Sequence, residues 1–322
     1  MKLAIVTPVL DDWEVLTQLL QDLDRALAPL AASGFSVHLV AVDDGSAQTP
    51  DELPVPQGGV IESVELLRLN CNLGHQRAIA IGLSWLVANR TFDAVVVMDA
   101  DGEDRPDDVR RLIEAHKLKP DHICVARRDQ RSEGPLFQIG YRLYRLLFRL
   151  LTGQTLPFGN FCLIPRPVAE RIIYHDNLWN HLAATILRSR FLVHLEPTAR
   201  GHRYAGDAKM NPRALVLLGL SAVSVFSDFA VLRTLTASFA LSVLTVIGIL
   251  STVVIRLFTD LAIPGWATTM VGWLVVVLIQ CLVVSVFVLF IVLASRSQRS
   301  FIPARHFDDY VLDVRELVSP NP

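Results

Sequence analysis

Short apolar runs alternate with amphipathic segments along the first part of the chain. Leu3–Val6, Ser36–Val42, Glu65–Leu69, Ala94–Met98 and His122–Ala126 are brief runs rich in β-branched residues and bounded by polar clusters. Runs of this kind predict buried strands. Between them, Trp13–Leu27, Gly74–Ala88 and Asp107–His116 carry apolar residues at helical spacing, the mark of helices with one buried face. Asp107–His116 opens on acidic residues, which suit the positive end of a helix macrodipole. Strands alternating with helices predict an α/β, Rossmann-like domain with a mostly parallel sheet covered on both faces. Ligands of such sheets bind beyond the carboxyl ends of the strands, and the polar clusters at Asp43, Asp99 and Arg127 fall there.

The pattern then changes. In Gly140–Leu151, Arg142, Arg145 and Arg149 share one helical face among leucines and aromatics. A basic amphipathic helix of this kind, placed at about 138–151, suits an anionic membrane surface. Ala214–Ser227 is uncharged but too short to span, which predicts an interfacial segment over 211–232. Thr234–Ile255 is uncharged for 22 residues, enough at about 1.5 Å per residue to cross a hydrocarbon core of about 30 Å. A second uncharged run follows Pro264-Gly265. The two predict transmembrane helices at 233–257 and 266–295, forming a hairpin, with a tail over 296–322. Arg213, Arg233, Arg296 and Arg299 flank the hairpin, whereas its loop carries only Arg256 balanced by Asp260. The positive-inside rule then predicts a multi-pass protein of the inner (plasma) membrane, with the 1–210 domain and both termini cytoplasmic.

Composition sharpens this. The chain has 322 residues, 52% hydrophobic and 19% charged, only modestly more apolar than a soluble domain. The excess is local: Thr234–Ser295 holds just two charged residues, Arg256 and Asp260. That excludes a purely soluble protein, a disordered one and a many-spanning transporter. The net charge of −2 provides no field for nucleic acid, so no nucleic-acid partner is expected. Cys71, Cys124, Cys162 and Cys281 are widely spaced, which argues against a disulfide framework or a zinc site and fits a reducing compartment. The opening MKLAIVTPVL reads as a first strand rather than a signal peptide.

The candidate chemistry lies at the strand ends. Asp99-Ala100-Asp101-Gly102-Glu103 places three carboxylates at alternating positions. Such a group calls for a cation, and Mg²⁺ or Mn²⁺ prefers oxygen ligands and bridges to diphosphates. Asp43-Asp44-Gly45-Ser46 ends an earlier strand and supplies carboxylates able to accept hydrogen bonds from a ribose or base. His75, at a strand–helix turn, is a candidate either for ligand contact or for a helix cap.

Taken in order, Thr7-Pro8, Val42-Asp43-Asp44-Gly45-Ser46, Asn72-Leu73-Gly74 with Ala78, Met98-Asp99-Ala100-Asp101, Arg127, and Arg203 to Lys209 resemble the family 2 glycosyltransferases of GT-A fold. Within them the chain is similar to the polyprenyl-phosphate sugar transferases. The resemblance covers about residues 3–210 and the two-helix anchor. It implies an inverting enzyme that moves a sugar from a nucleotide-diphosphate sugar (UDP or GDP) to a polyprenyl phosphate at the bilayer. It places Pro8, Leu10, Asp12, Val42 and Asp44 at the nucleobase end, and Asp99 and Ala100 against ribose and diphosphate. Asp101 is then the main Mg²⁺ or Mn²⁺ ligand, with Glu103 second. Arg127, Arg203 and Lys209 bind donor phosphate, and Arg131 the acceptor phosphate. Relatives are often oligomers, so a homo-oligomer is a possible partner state.

The chain departs from the family pattern at Leu10-Asp11-Asp12, Cys71, Asn160 and Ala208. Asn160 stands where relatives carry an aspartate suited to general-base work, and an amide accepts no proton. A sugar hydroxyl needs such a base. A phosphate monoester, with a second pKa of about 6, attacks without losing a proton. Asn160 therefore fits a lipid-phosphate acceptor, with a role in orienting that phosphate or the sugar. Two other readings stay open: another lipid or lipid-linked sugar as acceptor, and a catalytically silent scaffold of a polysaccharide assembly complex.

Overall fold

A computed structural model describes residues 1–50, 53–54, 59–128, 135–199, 201–204, 212–259, 263, 265–297 and 300–318. Its strands are β1 (Lys2–Val9), β2 (Ser36–Asp43), β3 (Ile61–Leu69), β4 (Ala94–Val97), β5 (Ile123–Arg128), β6 (Cys162–Pro165), β7 (Val193–Thr198) and β8 (Val311–Val318). The helices used below are α1 (Trp13–Leu27), α2 (His75–Asn89), α3 (Pro106–Leu118), α4 (Pro135–Thr152), α5 (Arg166–Ile172), α6 (Leu182–Arg188), α7 (Pro212–Ser224), α8 (Ser227–Phe258) and α9 (Trp266–Ser297). The chain divides into two compact units, one of Met1–Tyr141, Thr155–Val225 and the segment from Phe301, the other of Arg142–Gln154 and Phe226–Ser300.

The first unit is the expected α/β domain with the mostly parallel sheet of the GT-A fold. Strand order is β7-β5-β6-β4-β1-β2-β3-β8. The pairs β1–β2, β1–β4, β2–β3 and β5–β7 are parallel. β6 runs antiparallel between β4 and β5, and β8 pairs antiparallel with β3. The alternation within β1 divides the core: Ala4 and Val6 join the cluster on one face, Leu3 and Ile5 the cluster on the other. On the second face α1 buries Val15, Leu16, Leu19, Leu20, Leu23 and Leu27, the three-and-four spacing of an amphipathic helix. On the first face α2 lies flush with the sheet at Gly82, where a Cβ would stand 2.6 Å from Val42 Cγ2 and 2.7 Å from Val6 Cγ1.

The tail supplies the edge strand β8, packed against β3. Its Asp313 accepts from Arg68 Nη1 at 3.0 Å, and Asn70 N–H donates to Tyr310 O at 2.9 Å.

In the second unit, α8 and α9 are each long and apolar enough to cross a membrane. They pair antiparallel. Ser238 Oγ donates to Cys281 O at 2.9 Å, Ser285 Oγ donates to Ser238 Oγ at 3.0 Å, and Gly248 faces Leu274. The hydroxyls thus find partners inside the pair, while leucines, valines and phenylalanines are left outward. Arg233 Nη1, near the start of α8, donates to Arg149 O and Leu150 O at 3.1 and 2.9 Å. It thereby gives Leu150 O a donor near the end of α4, where Arg149 O also accepts Gly153 N–H at 2.9 Å. Beside α4's exposed Arg142, Arg145 and Arg149 lie exposed Leu146, Leu147 and Leu150.

Candidate active site

The carboxyl ends of β1, β2 and β4 bring eight carboxylates into one region, Asp11, Asp12, Asp43, Asp44, Asp99, Asp101, Glu103 and Asp104, and several of them serve the backbone. Asp43 and Asp44 are nearly fully buried. Asp43 accepts Ser46 N–H at 2.8 Å and Thr49 Oγ1–H at 3.2 Å. Asp44 accepts Leu73 N–H at 2.7 Å and Gly74 N–H at 2.9 Å. Burial raises the Asp44 pKa, opposed by those two hydrogen bonds and by His75. Asp11, at φ +52°, accepts Ala47 N–H at 2.9 Å and donates its own N–H to Ser46 Oγ at 2.9 Å. These groups tie together the loops after β1, β2 and β3. Gly74 takes φ +92° at the start of α2, a conformation that favours glycine, and turns His75 toward the end of β4.

Beyond β4 the chain makes a tight acidic turn. Asp104, buried, accepts Asp99 N–H at 2.9 Å. Asp101 Oδ1 accepts Glu103 N–H at 2.9 Å, and Asp101 Oδ2 accepts from Arg203 Nη2 at 2.5 Å. Arg203 Nε stands 3.3 Å from Glu103 Oε1. The segment carrying Arg203 is held in place by its backbone: Gly201 N–H donates to Glu103 O at 2.9 Å and Tyr204 N–H to Asp101 O at 3.0 Å. Gly102 has φ +85°, and a Cβ there would meet His202 O and the Tyr204 ring at 2.9 Å. Burial acts to lower the Arg203 pKa, but Asp101 and Glu103 outweigh it and raise the value. His75 Nε2 lies 3.2 Å from Asp99 Oδ1 and 3.2 Å from Asn160 Nδ2.

The fold thus brings Asp99, Asp101, Glu103, Asn160 and Arg203 into one neighbourhood. Pro8 ends β1 and Asp12 precedes α1, with Leu10 exposed between them. Ala100 is buried in the turn, and Arg127 is exposed near the end of β5. Val42 is different: its side chain is fully buried against α2, so only its backbone can reach a ligand. Asp44, expected at the nucleobase, has both oxygens engaged by the β3–α2 loop. Arg131 and Lys209 lie outside the described residues.

Two residues missed in the sequence, Asp104 and Tyr204, complete the site together with His75, which the sequence offers for ligand contact or a helix cap. Asp104 follows Glu103 directly, out of step with the alternation of Asp99, Asp101 and Glu103, and points back at the backbone. Tyr204 sits over Gly102, and His75 bridges Asp99 and Asn160. His181 is buried, its Nδ1 accepts Ala184 N–H at 3.4 Å, and burial, aided by His75, pushes its pKa down to about 4.

Among the described residues no three or more His, Cys, Asp or Glu side chains converge as a complete metal cage. Asp101 and Glu103 do converge on one cation, the Arg203 guanidinium. Two carboxylates are a fitting protein share for Mg²⁺ or Mn²⁺, since such ions take most of their remaining ligands from water and substrate phosphates.

Residues 4–172, just over half of the chain, match the family model of glycosyl transferase family 2. Relatives include the uncharacterized glycosyltransferase YkcC of Bacillus subtilis, 24% identical over 83% of this chain and 81% of that protein. The undecaprenyl-phosphate 4-deoxy-4-formamido-L-arabinose transferase of Erwinia tasmaniensis is 27% identical over 67% of this chain; the match spans 65% of its length, somewhat less than two thirds. The prophage bactoprenol glucosyl transferase homolog of Escherichia coli is 24% identical over 71% of this chain and 73% of its own. Among solved structures, glucosyl-3-phosphoglycerate synthase from Mycobacterium tuberculosis, in complex with Mn²⁺, UDP-glucose and phosphoglyceric acid, aligns at a TM-score of 0.48 and 13% identity over 71% of this chain and 79% of that one. With a strand-end acidic turn, a mostly parallel sheet and a family match over most of the α/β domain, the chain belongs to glycosyl transferase family 2, as a polyprenyl-phosphate sugar transferase-like member.

Proposed function

We propose that the protein is a membrane-bound, inverting glycosyltransferase that moves a sugar from a nucleotide-diphosphate sugar to a polyprenyl phosphate. The observation that carries this is the pairing of Asp101 and Glu103 around Arg203 at the carboxyl end of β4. That arrangement suits a diphosphate held between acidic and basic groups. The donor's nucleoside would lie toward Pro8, Leu10, Asp12, the Val42 backbone and Asp44, with Asp99 and Ala100 along its ribose and diphosphate. Arg127, Arg203 and Lys209 would offset the diphosphate's charge. Asp101 and Glu103 would hold Mg²⁺ or Mn²⁺, which when bound stabilises charge on the departing diphosphate.

The acceptor phosphate, near Arg131, attacks the anomeric carbon from the side opposite the diphosphate. One phosphate oxygen–carbon bond forms, the carbon–oxygen bond to the diphosphate breaks, and the nucleoside diphosphate leaves with the electron pair. No proton needs removal from a phosphate dianion, so Asn160 serves by hydrogen bonding. The α8–α9 hairpin would span the inner membrane with both termini cytoplasmic, and the arginines and exposed leucines of α4 would lie at the headgroups. The domain bounds that go with this are 1–210 for the catalytic part and 233–257 and 266–295 for the spans.

The test is a screen of radiolabelled UDP- and GDP-sugars against polyprenyl phosphate, with Mg²⁺ or Mn²⁺, followed by organic extraction. A labelled lipid that appears only with the phosphorylated polyprenol is expected. Transfer to a sugar hydroxyl with none to lipid phosphate overturns the acceptor, and failure to bind any nucleotide sugar overturns the enzyme.

A further inference from the structure

His75 joins the two halves of the site, and one arrangement of its hydrogen bonds satisfies both of its neighbours. The ring's Nε2 stands 3.2 Å from a carboxylate oxygen, Asp99 Oδ1, and 3.2 Å from Asn160 Nδ2. Asp99 Oδ1 and Asn160 Oδ1 are both buried atoms with no hydrogen-bond donor among the described residues, a costly state for an acceptor. A bare Nε2 lone pair would accept from the Asn160 amide but face the Asp99 oxygen with like charge. A proton on Nε2 reverses this: it points at Asp99 and requires Asn160 to present its oxygen rather than its nitrogen. The two ends of a carboxamide are alike in shape, so this half-turn changes no packing. Both orphaned oxygens then lie about one donor.

Among the described residues, two neighbouring groups are committed elsewhere. His181 is neutral and occupied with the start of α6, and Asp44 is saturated by Leu73 and Gly74. The position of His75 is also built rather than incidental. Gly74's positive φ and the Asp44 clamp fix the first turn of α2, while Asp104 fixes the backbone of Asp99.

We propose that His75 is a positioning residue for sugar transfer: through an Nε2-bound proton it locks the Asp99 carboxylate and the Asn160 amide into one hydrogen-bonded unit, setting the orientation of Asn160 toward the reacting groups. This rests on the function proposed above. Asn160 is the group with no charge to orient it, so its alignment depends on a neighbour, and small misplacements of a positioning group lower turnover by about a hundredfold.

The experiment compares His75→Ala, His75→Gln and His75→Asn in the full-length protein in nanodiscs. Glutamine places an N–H near the Nε2 position, whereas asparagine places it near Nδ1. His75→Ala should lower kcat about a hundredfold with the KM for nucleotide sugar changed less than threefold. His75→Gln should restore at least tenfold of that loss, and His75→Asn should not. Equal behaviour of the glutamine and asparagine variants, or a kcat within threefold of wild type for the alanine variant, overturns the proposal. A matching loss of nucleotide-sugar binding also overturns it, by making His75 a donor-site or folding residue. A second readout needs no acceptor: side-chain ¹H–¹⁵N correlation of ¹⁵N-histidine-labelled protein, the His75 signal being assigned among nine histidines by its loss in His75→Ala. An Nε2–H signal that shifts in Asn160→Ala is expected, and an Nδ1–H tautomer overturns the proposal. If wild type transfers no sugar to lipid phosphate yet the Nε2–H signal is present, the acceptor assignment fails while the His75 unit stands.

Discussion

Asp101→Asn separates the structural and chemical duties of the acidic turn, because it keeps the side chain's shape and removes its charge. In the native site Asp101 Oδ1 accepts Glu103 N–H at 2.9 Å and Oδ2 accepts from Arg203 at 2.5 Å. Asparagine can keep the first bond through its carbonyl, but its –NH₂ then faces a guanidinium that has nothing to accept with. A well-shielded charge-assisted bond contributes about 1.5–3 kcal/mol and a surface ion pair about 0–1. The two side chains are 23% and 28% exposed, and Glu103 remains 3.3 Å from Arg203, so a loss of about 1 kcal/mol is expected. For a domain of this size that lowers Tm by about 3 °C. The chemical loss is larger. If Asp101 holds the cation that stabilises the leaving diphosphate, about 4 kcal/mol of barrier is at stake, or roughly a thousandfold in rate. The assay pairs thermal unfolding in detergent with sugar transfer across a Mn²⁺ titration. A variant that melts within a few degrees of wild type and still turns over within tenfold of it, at all Mn²⁺ concentrations, refutes the metal role of Asp101.

Three further outcomes follow from other parts of the fold. Gly102→Ala places a Cβ 2.9 Å from His202 O at a backbone φ of +85°; strain of about 1–2 kcal/mol should loosen the Asp101–Arg203 pairing, read as a raised KM for nucleotide sugar, and an unchanged KM speaks against the close fit. Arg233→Ala removes the Arg233 donor from Leu150 O and leaves Arg149 O with Gly153 N–H alone, so amide exchange in the last turn of α4 should quicken by about tenfold, from a loss of about 1.5 kcal/mol; unaltered exchange would mean the clamp is idle. Burial works to raise the pKa of Glu65, but hydrogen bonds from His38 and Arg90 outweigh it and leave it below the ordinary 4.5. A carboxylate lowered in the folded state contributes stability that is full above that ordinary value and lost as pH falls through the folded value. Glu65→Gln should therefore lower Tm at pH 7 by several degrees and flatten the fall of Tm on acidification below pH of about 4.5; a parallel acid limb in both proteins contradicts the assignment.

The elements legible in the sequence were those whose burial is complete. β1 to β5 are apolar runs flanked by helices, and α1 reads cleanly because its six buried residues keep one spacing. β6 is four residues ending in Pro165, too short for a pattern. β7 lies at a sheet edge and carries His194 and Glu196 within it. β8 alternates charge with apolar residues, and Leu312 and Val314 remain exposed, so its identity as a strand comes from pairing with β3 rather than from its own composition. The same division holds in the site. Asp101 and Glu103 stood out because carboxylates after a buried strand invite a cation, but their pairing with Arg203, a hundred residues on, is a product of the fold.

What sequence could not distinguish is which carboxylates are free to act. Asp11, Asp43, Asp44, Asp99, Asp101, Glu103 and Asp104 are chemically similar and clustered at the same strand ends. Their partners separate them. Asp11, Asp43, Asp44 and Asp104 each accept backbone N–H groups from loops that would otherwise have unpaired donors, so they shape the cradle. Asp101 divides its two oxygens between the turn and a cation, and Glu103 faces the same cation. The division has a physical reason. A diphosphate is repelled by every uncompensated carboxylate near it, and in the shielded environment beyond the sheet that repulsion is stronger than in water. Carboxylates whose charge is already absorbed by oriented N–H dipoles add little to it. Loading Asp11, Asp43, Asp44 and Asp104 with backbone donors therefore reduces the charge that must be neutralised, leaves Asp101 and Glu103 facing a cation, and allows an acidic cluster to receive an anionic donor.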